Sequence, residues 1–173
     1  PTKSPGGKKQ LVVGFSQIGA ESAWRTANSA SIKEEAEKRG IKLMFADAQG
    51  KQENQLKALR SFINQGVDVV AFSPVVETGF EPVLRELKAA GIPVVLTDRS
   101  VDVADASLYS VFIGADFVEE GRDAARWLVK ATGGTANVVE LQGTPGSAPA
   151  LDRQKGFAEI VKQHPGVKVV FSQ

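Results

Sequence analysis

Apolar and polar positions come along this chain in blocks. Short β-prone runs at residues 11–15, 42–46, 67–72 and 93–97 alternate with stretches of helical spacing at 23–39, 54–65 and 81–90. A run apolar on both faces is the mark of a strand buried in a parallel sheet, and the longer periodic stretches predict helices that cover it. Glycines at 40, 66 and 91 close each predicted helix, a spacing of about 25 residues, and serve as C-caps before the next strand. The pattern therefore predicts repeated βα units with right-handed crossovers.

After Ser100 the rhythm breaks. Residues 101–107 are polar and poor in helix formers, a strand follows at 109–115, and the alternation resumes with a helix at 118–132, a strand at 137–141, a helix at 150–163 and a strand at 167–171. The interruption at 101–108 is the expected lobe crossing. The sequence thus predicts a leader at 1–10, a first α/β lobe at 11–103 and the beginning of a second at 104–173. The leader is expected to be flexible, since it sets Lys3, Lys8 and Lys9 among Pro, Gly and Ser. The chain ends on a strand expected to lie inside the second lobe. A bare strand edge is a pairing template, so the expectation is a piece of a longer protein, or the first of two associated pieces, with a tendency to self-associate.

Composition narrows the function classes. With 173 residues and 42% hydrophobic side chains there is material for one ordinary core or two small ones, and a folded chain is expected. Lys and Arg number 21 against 20 Asp and Glu, a net charge of +1, which gives no electrostatic case for nucleic acid or an anionic membrane. No apolar run reaches membrane-spanning length, and no signal-peptide hydrophobic region precedes the first strand. The absence of cysteine removes disulfides, thiolate nucleophiles and zinc-thiolate sites. His164, the only histidine, stands beside Pro165 in a helix-ending turn and reads as structural or solvated. Neither a dinucleotide nor a P-loop glycine pattern is present. No catalytic residue, metal or cofactor is expected.

Two stretches carry candidate chemistry. Residues 91–100 run from a Gly-Ile-Pro turn through Val94, Val95 and Leu96 to Asp98 and Arg99. In an open α/β sheet ligands gather beyond the carboxyl ends of the strands, so this pair is a candidate grip on a polyhydroxylated molecule. The alternative is that Asp98 caps a turn and Arg99 is a solvated charge. The loop after the first strand offers Glu21, Trp24 and Arg25. An indole face stacks on the C–H surface of a sugar while ionised groups bond its hydroxyls. The alternative packs Trp24 into the helix face and leaves Arg25 in solvent. Trp127, mid-helix with Ala124 and Leu128, is expected in the core.

The stretches Val13-Gly14-Phe15-Ser16-Gln17 through Trp24-Arg25, Lys51-Gln52-Glu53-Asn54-Gln55, Pro93 to Ser100, Val138 to Gly146, and Asp152-Arg153-Gln154-Lys155-Gly156-Phe157 together resemble the periplasmic sugar-binding proteins of bacterial ABC importers. Within that group the first loop, with its Glu, Trp and Arg, is most similar to galactofuranose-binding proteins. The resemblance covers nearly the whole chain after Lys9. It implies a two-lobed Venus-flytrap fold of type I, α/β with parallel sheets and flanking helices, whose second lobe is incomplete here. It implies a monosaccharide, galactofuranose or a related aldose, held between the lobes. Glu21, Trp24, Arg25, Asp98 and Arg99 would line the first lobe and Arg153 would reach in from the second. An ABC permease partner and a periplasmic location are implied with it, the signal peptide being absent. The same fold also serves sensors feeding a chemoreceptor or kinase, and the effector domains of sugar-responsive repressors. Only ten residues precede the first strand, too few for a DNA-binding module.

Overall fold

Five strands, β1 (Val12–Gln17), β2 (Lys42–Asp47), β3 (Val69–Phe72), β4 (Val94–Thr97) and β5 (Val111–Ile113), form an all-parallel sheet in the order β2-β1-β3-β4-β5. The computed structural model describes residues 9–173, so most of the expected leader at 1–10 lies outside the described residues. Helices α1 (Ala23–Lys38), α2 (Gln52–Asn64) and α3 (Glu81–Ala89) connect successive strands and cover the sheet. Its core is aliphatic and aromatic: Leu59 and Phe62 of α2, Val83, Leu84 and Leu87 of α3, and Val70, Phe72 and Leu96 of the strands are all buried. The Phe72 and Phe80 rings meet at a tilt, centroids 5.3 Å apart.

The strand expected to open the second lobe belongs to the first sheet. Val111, Phe112 and Ile113 pair in parallel with Val95, Leu96 and Thr97. The polar stretch before it, read from sequence as a lobe crossing, is a return path along the first sheet. It carries a 3-10 turn (Ala106–Leu108) that Asp105 caps by accepting the Ser107 amide at 3.0 Å. Leu108 is buried, and Val101, Val103 and Tyr109 pack against the same core. The alternation of charged and apolar residues there reflects one solvent face and one core face. The chain leaves the first sheet only at residues 114–116, about ten residues later than the 103/104 division.

The remaining elements are α4 (Phe117–Ala131), β6 (Ala136–Glu140), α5 (Ala148–Val161) and β7 (Val167–Ser172). Strands β6 and β7 form a separate two-stranded parallel sheet, with a register shift between Val138 and Val139. Helices α4 and α5 approach through two glycines. A Cβ on Gly121 would collide with the Arg153 carbonyl, and one on Gly156 with the Val118 carbonyl. Backbone cannot yield as a flexible side chain can, so Gly156→Ala is expected to cost about 1–3 kcal/mol as overpacking. Urea unfolding of the variant against the parent measures it.

Trp127 is not in the core: it is 70% exposed. The α4 residues that face inward are Phe117, Gly121 and Ala125, a spacing of four that turns Trp127 to the opposite side of the helix. Val139, Leu141, Val170 and Phe171 at the small sheet are exposed as well. Among the described residues no helix is long and apolar enough to cross a membrane.

Candidate functional site

The carboxyl ends of β1, β3 and β4 lie side by side, and each delivers a polar group to the same edge. At the end of β1, Gln17 is buried; its amide nitrogen donates to Asn28 Oδ1 at 2.9 Å and Ser29 Oγ at 3.0 Å, and its Oε1 accepts the Ile18 amide at 3.0 Å. That ties α1 to the strand feeding it. Ser22 caps the helix by accepting the Arg25 amide at 3.1 Å, the usual service of a serine to an orphan first-turn donor. Glu21, Trp24 and Arg25 are thereby set over the sheet edge.

Arg25 is only 3% exposed. Its Nη2 donates to Asp98 Oδ2 at 2.8 Å, its Nη1 to Ser73 Oγ at 3.4 Å and its Nε to Glu21 Oε1 at 3.4 Å. The guanidinium carbon also sits 4.7 Å from the centroid of the Trp24 ring. Every edge of the fork is engaged, and the indole remains 56% exposed. Asp98 adopts φ 65, the left-handed region that Asp tolerates better than most residues. Its own amide donates to the Ile113 carbonyl at 2.8 Å, so β5 holds this turn in place.

Arg99 differs from Arg25. Its side chain is largely buried, with Nη1 donating to the Val75 carbonyl at 3.1 Å, yet its Nε is buried without a hydrogen-bond partner. The Asp98 carboxylate is 3.9 Å away, beyond hydrogen-bond reach. Burial first, and the neighbouring Arg25 guanidinium second, pull Arg99 below the usual arginine range. It remains a cation with spare donors.

Across the cleft stands Arg153 of α5, half exposed. Its Nε donates to Glu120 Oε2 at 2.8 Å, and its guanidinium carbon lies 4.6 Å from the Phe117 ring centroid. The cleft itself comprises two adjoining cavities of about 660 and 790 Å³, both lined by Glu21, Arg99, Glu120 and Arg153. Trp24, Arg25 and Asp98 line the larger. All six residues singled out from the sequence thus meet around one opening between the two sheets. Trp127 lines neither cavity. At the edge of the cleft the Glu77 amide donates to the Gly146 carbonyl at 3.0 Å, joining the two halves. Burial, then the Asp152 and Asp102 carboxylates, push the Glu77 carboxyl above its ordinary range. Burial raises Asp152 too, with Lys155 opposing and Asp116 adding.

Sequence reasoning missed Ser73, Glu120 and Phe117. Ser73 carried a signal, because it follows β3 as Asp98 follows β4. The other two orient Arg153 from α4, a helix pairing that no local pattern announces.

A model of the periplasmic binding protein domain matches residues 13–173. The chain is 57% identical over 164 residues to the galactofuranose-binding protein YtfQ of Escherichia coli (strain K12), covering 94% of this chain and 52% of that protein. Among solved structures it is similar to the periplasmic binding protein component of the arabinose ABC transporter from Shewanella sp. ANA-3, bound to α- and β-L-arabinofuranose, with 54% identity and a TM-score of 0.89 over 94% of this chain and 54% of that one. A protein from Mycobacterium smegmatis in complex with β-D-fucofuranose gives 57% identity and a TM-score of 0.89 over 94% and 55%. The chain spans about half the length of these relatives.

Proposed function

Because the chain belongs to the periplasmic binding protein family, we propose that it is a solute-binding protein that captures an aldose in its furanose form, galactofuranose or a close relative, between its two α/β halves. It would act without catalysing a reaction, in the periplasm, and deliver its sugar to the permease of an ABC importer. The furanose preference rests on the sugars named for three similar proteins, galactofuranose, arabinofuranose and fucofuranose.

The observation that carries this reading is the convergence of Trp24, Arg25, Asp98, Arg99 and Arg153 on one cleft between the two halves. Guanidinium groups donate and a carboxylate accepts, the two capacities that the hydroxyls of a sugar must meet when they leave water. The adjacent groups fit the same guest. The exposed face of Trp24 suits the C–H surface of a furanose ring. Asp98, partly open to the cleft, has acceptor capacity left for hydroxyl protons, and Arg153 closes the site from the far side.

Titration calorimetry with L-arabinose, D-galactose and D-fucose tests it. One of them is expected to bind and to raise thermal stability, by about 2.7 kcal/mol at a hundred times its dissociation constant. Arg99→Ala is expected to weaken that binding at least roughly tenfold, the loss of one charge-assisted contact, with little change in the ligand-free melting temperature. Retained affinity with lowered stability would instead make Arg99 a structural clamp on the Val75 carbonyl.

A further inference from the structure

The segment from residue 73 to 78, between β3 and α3, has no regular structure, yet both arginines of the first wall depend on it. Ser73 Oγ touches Arg25 Nη1 and Asp98 Oδ2, each at 3.4 Å, and the Val75 carbonyl receives Arg99 Nη1 at 3.1 Å. Side chains of α2 hold that segment from below, and one of them reaches both Ser73 and Val75. Gln55 is completely buried; its Nε2 donates to the Ser73 carbonyl at 2.8 Å and its Oε1 accepts the Val75 amide at 2.9 Å. The primary amide reproduces the pairing of a neighbouring strand at the point where the sheet ladder has ended. Gln52, one turn earlier on the helix, reaches the Thr78 carbonyl of the same segment at 2.6 Å.

We infer that Gln55 is a positioning residue for sugar recognition: by clamping the backbone at Ser73 and Val75 it sets the height and aim of Arg25, Asp98 and Arg99 at the cleft. This rests on the sugar-binding reading above. Gln55 touches none of the three charged residues itself. Its effect passes through the Ser73 hydroxyl on one side of the clamp and the Val75 carbonyl on the other. A primary amide is needed because the two backbone groups differ, one acceptor and one donor, and only an amide or a protonated carboxyl offers both at this length.

Two variants test it, made in a Trp127→Phe background so that Trp24 is the one indole left. Gln55→Met keeps the length and removes both polar contacts. Gln55→Glu keeps the shape, and when protonated it can donate to the Ser73 carbonyl while accepting from Val75. Burial raises a carboxyl pKa, so the protonated form is reached near about pH 5 and lost toward about pH 8. The readouts are affinity for whichever of L-arabinose, D-galactose and D-fucose the parent binds, and Trp24 emission in the absence of sugar, which reports the Arg25 guanidinium over its ring. Affinities are taken as ratios to the parent at each pH, which cancels titration elsewhere.

Gln55→Met is expected to lose at least roughly tenfold in affinity and to shift ligand-free Trp24 emission. Gln55→Glu is expected to match the parent in both at about pH 5 and to approach the Met variant as its carboxyl ionises. Parent-like affinity and emission in Gln55→Met would overturn the inference, and so would equal impairment of Gln55→Glu at every pH. Should Gln55→Met not fold, the pH profile of Gln55→Glu decides alone. If the parent binds none of the three sugars, the furanose reading fails, while the emission profile still tests the clamp.

Discussion

Arg25→Met is expected to lower the melting temperature of the ligand-free protein by about 5–10 °C, the largest stability effect among the cleft residues. The side chain is almost entirely buried and bonded to Asp98, Glu21 and Ser73. Its removal leaves the Asp98 carboxylate without its close cationic partner at 2.8 Å, at a residue already held at positive φ. Breaking a buried pair by deleting one member typically costs about 3–5 kcal/mol. Asp98 keeps some access to water, so about 2–3 kcal/mol is the fitting magnitude. For a chain of this size each kcal/mol moves the midpoint by about 2–4 °C. Arg25→Lys is expected to recover little, because an ammonium cannot reproduce a fork that addresses three acceptors at once. Differential scanning calorimetry of both variants checks it. An unchanged midpoint in Arg25→Met would mean that Arg25 faces the ligand and serves the fold hardly at all.

Arg25 also illustrates where sequence reasoning reaches and where it stops. Its residue type and its place after a strand put it at the cleft, but the sequence left open whether Arg25 was solvated or turned to a ligand. The structure gives neither extreme: Arg25 is a buried strut with Trp24 over it. Strands and helices were legible because a parallel βα pattern writes itself in blocks, and most boundaries fall within two residues of the expected ones. The error at β5 has a physical origin. Residues 101–108 alternate polar and apolar like a linker, and only pairing with β4, about fifteen residues distant in sequence, shows that they line the first core. Trp127 was misread because apolar neighbours along a helix do not say which of its faces is covered. Gln55 was hidden for another reason: its partners are backbone atoms of a loop, which any sequence could supply.

A chimera that continues residues 1–173 with the remaining half of the galactofuranose-binding relative is expected to bind L-arabinose at least about a hundredfold more tightly than the 173-residue chain, near 2.7 kcal/mol. The first wall of the cleft is dense with groups that address hydroxyls, whereas the far wall offers chiefly Arg153, already engaged by Glu120 and stacked on Phe117. Hydroxyls drawn from water against one wall must be paired on the other, or each costs about 1–3 kcal/mol. The relatives are about twice as long as this chain, so they have the residues to build that second wall. The same half has a packing role to fill. Trp127, Val139, Leu141, Val170 and Phe171 are each more than half exposed, beyond the scattered single residues that a soluble surface carries. Covering them would also fix β6 and β7, whose outer edges are unpaired in a sheet of two strands. Sedimentation is therefore expected to show concentration-dependent association for the 173-residue chain and a single monomeric species for the chimera. Equal affinity in the two proteins, with the shorter one monomeric, would mean that the wall formed by Arg153, Glu120 and Phe117 already completes the site.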